Sequence, residues 1–270
     1  MERNKPCFCG SGLKQKRCHS DIESNSMFAD LIKFYTELDY RLNSVSNPMN
    51  CFKGCCECCY QIFEISNLEF AYMCYGYAKS NSLNELFSEG NKIYNLMREN
   101  NPAVIDLLKK QEKASSLEEL SNISVDIFYN VNNLKYKCPF LNIADGCCSV
   151  YDYRPFVCRK HGVGYIDDGE LPPVFKPCSK NSSHISKNDL VYVGDFASNN
   201  MVLSIFDDNC SNTTIVDQMF PIFYFCHLGF KGLDDYLKKI TLFSKYSREN
   251  YMNLIKRTLP YYKGNLARKN

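Results

Sequence analysis

Sixteen cysteines in 270 residues constrain this chain more than any other feature of its sequence. Several are adjacent in the chain, as at Cys58–Cys59 and Cys147–Cys148. A disulfide needs a Cα separation and direction that such neighbours do not provide to each other, whereas thiolates arranged around a metal ion have no such restriction. The spacing therefore favours metal binding over disulfide formation, and a reducing compartment over secretion.

The cellular compartment is also indicated by the distribution of apolar residues along the chain. Residues 1–6 are charged and lead into no apolar segment, so the sequence predicts no signal peptide. The most apolar stretch, residues 219–230, contains Pro221 and His227 and is shorter than the run of about 18 apolar residues that a membrane span needs. We interpret it as core and expect a cytoplasmic protein without membrane insertion. The net charge of +2 indicates no specific nucleic-acid partner.

Apolar periodicity and capping signals predict a mainly helical fold with an irregular, cysteine-rich centre. Apolar residues recur with a 3.6-residue period between Met27 and Leu42, which predicts a helix within residues 20–47. Asn101-Pro102 is typical of an N-cap followed by proline in the first turn. Three further helix starts have capping-box spacing: Ser66 with Glu69, Ser82 with Glu85, and Ser116 with Glu119.

These signals divide the chain into regions. Residues 66–134 are expected to be mostly helical, residues 135–195 irregular with short strands and a turn at Asp168-Gly169, and residues 232–258 helical again. The domain boundaries predicted from them are a zinc knuckle at 1–22, a connecting helix at 23–48, a cysteine-cluster domain at 49–195 and a mostly helical C-terminal region at 196–270.

The knuckle is predicted from the ligand spacing of residues 7–19, which supply Cys-x-Cys, eight further residues and Cys-His. Four such ligands suit a closed tetrahedral zinc site. Gly10 and Gly12 permit the positive φ values of a tight turn, and nearby backbone N–H groups can donate to the thiolates. So short a segment does not fold without its metal. The alternative is a set of free surface cysteines beside a solvated basic face. The expected zinc ligands are Cys7, Cys9, Cys18 and His19.

This segment resembles the SEC-C motif, a zinc module found at the C-terminus of the protein-export motor ATPase and attached to many unrelated bacterial proteins. The Gly-Ser-Gly turn and the basic run of Lys14, Lys16 and Arg17 contribute to the resemblance. It implies the same four zinc ligands. It also implies docking to a protein partner, such as an export chaperone, the ribosome or a substrate protein.

A second cluster is predicted in the middle of the chain. Residues 51–59 contain five cysteines, and others follow within 138–158 and at Cys178. Buried unpaired cysteines behave as small hydrophobic residues, but adjacent ones point in different directions and cannot all be core. Convergence on a metal is the simplest account. We expect Arg154 and Arg159 to offset the thiolate charge and donate hydrogen bonds to sulfur.

The central cysteines resemble those of the bacterial YkgJ-type zinc- or iron-chelating proteins. That pattern is C-x3-C-x2-C-C, followed by C-P-[FL]-L, C-S-[IV]-Y and R-P-x-x-C-R, and residues 51–59 and 138–159 contain every piece of it. Cys178 is a plausible eighth ligand from its position, and Cys56 or Cys147 could substitute for a neighbour. The ligands that the resemblance implies are Cys51, Cys55, Cys58, Cys59, Cys138, Cys148 and Cys158.

The identity of the central metal stays open at this point. Eight thiolates could hold two Zn²⁺ ions, one four-iron cluster with spare ligands, or a mixed arrangement. We favour iron–sulfur because eight cysteines exceed what a domain with an ordinary core needs for stability. The sequence thus predicts a metal-binding cysteine-cluster protein of unassigned activity, with a knuckle for protein docking.

Two other functions are compatible with the pattern. Flagellin lysine N-methylase is associated with the same family, so a cluster-dependent protein-modifying enzyme is one alternative, although no Gly-rich cofactor loop is present. A zinc-only structural adaptor is the other. The spacing of Cys51, Cys55 and Cys58 also matches the radical S-adenosylmethionine motif, but Cys59 supplies a fourth thiol at once and no repeated strand–helix units follow.

Other residues that could carry chemistry have weaker signals. His161 could be a ligand or proton relay, although a supporting or surface role is favoured. His184 lies in a polar segment and is expected to be solvated. Cys226 and His227 lie in the apolar stretch and are predicted to be core. Cys74 and Cys210 have no partner in the sequence.

Overall fold

A computed structural model describes residues 4–24, 26–43, 53–114, 117–131, 134–161, 165–166, 191–192 and 219–229. Several predictions fall outside these residues: the helix at 232–258, the turn at Asp168-Gly169, and the positions of Cys51, Cys178, His184 and Cys210.

Helices form most of the described structure, which confirms the mainly helical prediction. The α-helices are α1 (Gln15–Cys18), α2 (Met27–Asn43), α3 (Asn67–Tyr77), α4 (Leu83–Asn100), α5 (Pro102–Gln111), α6 (Leu117–Val131), α7 (Phe156–Lys160) and α8 (Ile222–Leu228). Short 3₁₀ turns occur at Glu57–Tyr60 and Tyr151–Tyr153.

Each of the six described strands is two residues long. They are β1 (Glu64–Ile65), β2 (Leu141–Asn142), β3 (Cys147–Cys148), β4 (Tyr165–Ile166), β5 (Val191–Tyr192) and β6 (Phe220–Pro221). β1 pairs antiparallel with β6, β2 antiparallel with β3, and β4 parallel with β5. The β1–β6 pair joins segments that are far apart in the chain, whereas β2 and β3 form a local hairpin.

Of the local signals at helix starts, the capping box at Ser66 and the Asn101-Pro102 start were confirmed, and Ser116 lies outside the described residues. The Ser66 hydroxyl accepts a hydrogen bond from the Glu69 backbone N–H at 3.3 Å, and the Glu69 carboxylate accepts one from the Ser66 N–H at 3.0 Å. Asn101 is the N-cap of α5, with Pro102 in its first turn. Ser82 is the N-cap of α4, but its side chain makes no capping hydrogen bond.

The core forms where α8 packs against α4, with α5 and α6 continuing the same helical assembly. A side chain at Gly90 of α4 would overlap the β-carbon of Cys226 on α8, so glycine allows the two helices to approach. Phe225 and Cys226 are fully buried, as the prediction of core for this apolar stretch requires. α8 thereby lies next to the β1 segment that follows the first cysteine run.

A buried carboxylate fixes the helices that surround this assembly. Glu69 is 1% exposed. Besides its capping bonds, it accepts hydrogen bonds from the Tyr35 hydroxyl of α2 at 2.7 Å and from the backbone N–H of Phe156, the first residue of α7, at 2.8 Å. One side chain therefore joins α2, α3 and α7, and it sets the position of the short helix that carries Cys158.

Among the described residues, no helix is both long enough and apolar enough to cross a membrane.

Candidate metal centres

The N-terminal knuckle brings its four predicted ligands together. The ligand atoms of Cys7, Cys9, Cys18 and His19 all lie within 4.8 Å of one another. Cys7 Sγ is 3.2 Å from His19 Nδ1, and Cys9 Sγ is 3.5 Å from Cys18 Sγ. A tetrahedron with metal–sulfur bonds of about 2.3 Å has edges of about 3.8 Å, so small outward movements of these side chains would accommodate Zn²⁺.

Backbone turns create this arrangement. The Cys7 N–H donates to the Leu13 carbonyl at 2.7 Å, and the Gln15 N–H donates to the Lys5 carbonyl at 3.0 Å, so the two sides of the turn pair. Gly10 and Gly12 have φ values of 76° and 75°, as the predicted knuckle requires. Helix α1 then presents Cys18 and His19 to the turn.

Electrostatics in the knuckle suit a metal site. Burial raises the pKa of Cys7 to about 11, although the Cys9 backbone N–H bonded to its sulfur acts in the opposite direction. Burial also opposes ionisation of Cys9, but hydrogen bonds from Ser11 and the neighbouring thiols lower its pKa overall. Burial lowers the pKa of His19, with Lys79 adding to the effect, which favours the neutral imidazole that a metal ligand must be.

The knuckle lies against the helical part of the molecule. The Tyr75 hydroxyl of α3 donates to Asp21, and Gln15 Nε2 donates to the Ile22 carbonyl at 2.6 Å. Cys7 and Ile22 belong to the same buried cluster as the helical core. The knuckle is therefore packed against the helical core as well as connected to α2 by the chain.

The middle of the chain forms a cavity of about 50 Å³ with a sulfur-rich wall. That wall contains every described cysteine that the sequence predicted as a central ligand: Cys55, Cys58, Cys59, Cys138, Cys148 and Cys158. Cys56 and Cys147, the two extra cysteines, are partly exposed and lie outside the wall. Four separate chain segments thus line one space. Among the described residues, however, the knuckle alone brings three or more candidate ligand atoms within 4.8 Å of one another.

Two backbone contacts bring the first and second cysteine segments together. The Cys138 N–H donates to the Cys59 carbonyl at 2.6 Å, and the Tyr136 N–H donates to the Tyr60 carbonyl at 3.2 Å. The second segment is therefore held alongside the first, which aligns Cys138 with the cavity.

A tight hairpin then returns Cys148 to the same wall. Leu141 pairs with Cys148, and Asn142 pairs with Cys147. Asp145 Oδ1 accepts from the Cys147 N–H at 2.9 Å, and Gly146 takes a φ of 65°. Glycine adopts such a positive φ without steric cost, so Gly146 suits the end of the four-residue loop 143–146.

The same backbone-to-sulfur pattern occurs at both sites. In the knuckle, Cys7 and Cys9 each accept the backbone N–H of the residue two positions later. In the cavity, Cys138 accepts that of Phe140 and Cys148 that of Val150. Donors of this kind orient metal-binding thiolates and stabilise their charge.

Thiol ionisation in the cavity is uneven. A hydrogen bond from Cys59 lowers the pKa of Cys58 to about 7, burial opposes this, and Arg154 assists it. The donated hydrogen bond and burial raise the pKa of Cys59. Burial raises the pKa of Cys138 to about 12 and also raises those of Cys148 and Cys158. Burial thus makes the thiolate forms of these cysteines unfavourable. A bound cation would offset this penalty, because thiols are deprotonated when they bind a metal.

The two arginines have different roles. Arg154 lies in the cavity wall with its guanidinium carbon 3.6 Å from the centroid of the Tyr151 ring, and its charge favours ionisation of the neighbouring thiols. Arg159 instead donates to Asp39 at 2.5 Å and to the carbonyls of Asp152 and Arg154 at 2.7 and 2.8 Å. The expectation that Arg159 serves the thiolates is thus corrected: it anchors the loop to α2.

Sequence reasoning did not identify the apolar part of the wall. Phe63, Met73 and Ile222 line the cavity, although they come from distant segments with no shared spacing. His161 was expected to have a supporting or surface role, but it is 7% exposed and lies in the same wall, so a surface role is wrong. The Cys158-x-x-His161 spacing indicates this position, because residues three apart on a helix lie on the same face.

The remaining candidates lie elsewhere. Cys74 and Cys226 are fully buried in the core, where burial raises the pKa of both thiols. His227 is only partly buried. It stacks on Tyr94 with ring centroids 3.4 Å apart, and its Nδ1 is 2.7 Å from Asn91 Oδ1.

Comparison with known protein families identifies the knuckle. The model of the SEC-C motif matches residues 3–21, which contain the knuckle and its four candidate ligands. No curated protein and no solved structure matches the chain. The motif and the Cys/His geometry together fit a metal-binding protein.

Proposed function

We propose that this protein is a metalloprotein with two centres, a structural Zn²⁺ in the knuckle and an iron–sulfur cluster in the central cavity. The observation that supports the second centre best is the convergence of six described cysteines on one cavity wall. Core packing alone gives no reason for four separate segments to place thiols around a common space.

The number of thiols favours a cluster over a single closed zinc site. A structural Zn²⁺ takes four ligands, whereas six cysteines line this cavity within the described residues. Iron–sulfur clusters are normally held by cysteine thiolates and are tuned by hydrogen bonds to sulfur. The resemblance of residues 51–59 and 138–159 to the YkgJ-type chelating proteins supports the same proposal.

The chain itself would hold and shield such a group. Its cysteines supply the ligands, and Arg154 offsets their negative charge. Phe63, Met73 and Ile222 limit access of water to the wall. When bound, an iron–sulfur cluster supplies electron-transfer chemistry whose potential depends on these surroundings.

Two matched serine variants test whether the centres are separate. Cys58→Ser should remove the central metal and leave the zinc of the knuckle, whereas Cys7→Ser should remove that zinc only. Metal analysis of both variants after purification without oxygen measures this directly. Equal loss of both metals from either variant would refute two independent sites.

The knuckle is proposed to dock a protein partner with an acidic surface. Leu13 is 53% exposed and Lys14, Lys16 and Arg17 are exposed around it, so an apolar contact is surrounded by positive charge. Such a surface favours association with negatively charged partners. An export chaperone and the ribosome are the partners that the SEC-C resemblance suggests.

Charge reversal tests this docking. Changing Lys14, Lys16 and Arg17 to Glu should abolish salt-sensitive binding to the export chaperone or the ribosome, measured by co-sedimentation or titration. Reversing three exposed lysines elsewhere, Lys92, Lys109 and Lys110, serves as the control. Equal effects of the two sets would exclude the knuckle as the docking surface.

A further inference from the structure

We propose that His161 is a nitrogen ligand of the central centre, which makes the site a mixed sulfur–nitrogen centre rather than an all-thiolate one. This inference rests on the proposed central metal and identifies one of its ligands. It is separate from the cysteine pattern, which contains no histidine.

Helix geometry places His161 beside a candidate ligand. The His161 N–H donates to the Val157 carbonyl at 3.0 Å, so the helical turn of α7 continues through this residue. Residues three apart on a helix lie on the same face. Cys158 and His161 have this spacing, and both side chains line the cavity. One helical turn can therefore supply a thiolate and an imidazole to the same ion.

The imidazole is also held in place. His161 is 7% exposed, and its ring packs edge-to-face on Phe63 with centroids 4.9 Å apart. Phe63 lines the same cavity from the segment that follows the first cysteine run. A ring held by such packing loses little conformational entropy when it binds a metal.

A histidine that serves only as core packing is the competing explanation. Such a residue is expected among apolar side chains, away from other groups able to bind metal. His161 instead shares its wall with six cysteines and Arg154. Exchanging a thiolate for a neutral imidazole lowers the negative charge of a centre and, in iron–sulfur clusters, raises its reduction potential.

The test uses ¹¹³Cd²⁺ as the metal and protein labelled with ¹⁵N at histidine. A direct Cd–N bond splits the ¹¹³Cd resonance, so the spectrum shows which bound ions have a histidine ligand. His19 provides an internal reference, because the knuckle should give one split resonance. We expect a second split resonance from the central site of the wild-type protein.

Three variants assign the signals. His161→Ala should remove the splitting of the central resonance and leave that of the knuckle, and His19→Ala should do the reverse. His161→Cys should keep a central ion without nitrogen splitting and move its resonance in the direction of added sulfur ligands. His227→Ala is the control, because His227 stacks on Tyr94 and is absent from the cavity wall.

The outcomes separate the two proposals. A central cadmium resonance without nitrogen splitting in the wild-type protein overturns the assignment of His161 and leaves the central metal in place. Failure of the wild-type protein to bind any cadmium besides that of the knuckle overturns the ligand assignment. The iron content of the protein purified without oxygen then decides whether the proposed central centre stands.

Discussion

Single buried side chains determine how the candidate ligands are placed. Glu69 is the clearest case, because its carboxylate accepts hydrogen bonds from Tyr35, Ser66 and Phe156 on three different helix segments. Its capping role could be predicted from the Ser-x-x-Glu spacing. Its contacts with Tyr35 and Phe156 could not, because they depend on residues 34 and 87 positions away that only the tertiary fold brings near.

Removing this carboxylate should destabilise the protein strongly. Glu69→Ala leaves several buried donors without an acceptor, and we expect a loss of about 3–5 kcal/mol in the free energy of unfolding. Denaturant unfolding of the metal-free protein measures this. Glu99→Ala, at an exposed position on α4, should change the free energy by less than about 0.5 kcal/mol. Similar small changes for both variants would contradict the structural role of Glu69.

The same variant should affect the two metal sites unequally. The bond from Phe156 to Glu69 positions α7, which carries Cys158. None of the hydrogen bonds described for Glu69 reaches the knuckle. In Glu69→Ala, we expect central metal content to fall while the zinc of the knuckle remains near one per chain. Metal analysis of the folded fraction checks this, and parallel losses would argue against the connection through α7.

A second carboxyl, that of the partly buried Glu64, gives a pH dependence. Burial raises the pKa of Glu64 from 4.5 to about 7, despite hydrogen bonds from Gln111 and Ser124. The folded state therefore binds this proton more tightly than the unfolded state. Stability from Glu64 is present below about pH 4.5 and is lost as the pH rises to about 7.

Glu64→Gln should remove this dependence, because glutamine resembles the protonated carboxyl. We expect the variant to gain about 3 kcal/mol relative to wild type between pH 4.5 and pH 8, from a shift of this size at 1.36 kcal/mol per pKa unit. Unfolding free energies of both metal-free proteins across this pH range measure the difference. A difference that does not change with pH would show that the Glu64 carboxyl is not buried in this way.

At the scale of secondary structure, the starts and periodicity of helices could be predicted from the local sequence. Which helices pack against each other could not. The proline after Asn101 and the capping box at Ser66 act within a few residues, so the sequence predicts them. The packing of α4 against α8 depends on Gly90 facing Cys226, more than a hundred residues away. Nothing in the local pattern distinguishes that glycine from a tolerated helix defect.

The α4–α8 contact can be tested by one methyl group. Gly90→Ala would gain about 1 kcal/mol in helix propensity, but the added β-carbon would overlap that of Cys226 and cost about 1–3 kcal/mol. We expect a net loss of stability in thermal or denaturant unfolding. Ser88→Ala, at an exposed position of the same helix, should be neutral or slightly stabilising. An increase in stability for Gly90→Ala would contradict close packing here.

At the scale of the whole molecule, the cysteines determine much of what could be foreseen. Ligand spacing predicted the knuckle and the shared location of six central cysteines, because clustered thiols have few stable arrangements other than metal binding. The apolar wall could not be foreseen, since Ile222 is brought to the cavity by tertiary contacts: β6, which precedes it, pairs with β1, and α8, which it begins, packs against α4. The places of Cys51 and Cys178 stay predictions from sequence, because both lie outside the described residues.

Metal content and the visible spectrum of the wild-type protein, purified without oxygen, test the central claim most directly. We expect about four irons and about one zinc per chain, with broad visible absorption from cysteine-bound iron. Two or three zincs without colour would contradict an iron–sulfur centre and make the central cysteines structural. Zinc in the knuckle alone, with the cavity cysteines metal-free, would contradict the two-centre account altogether.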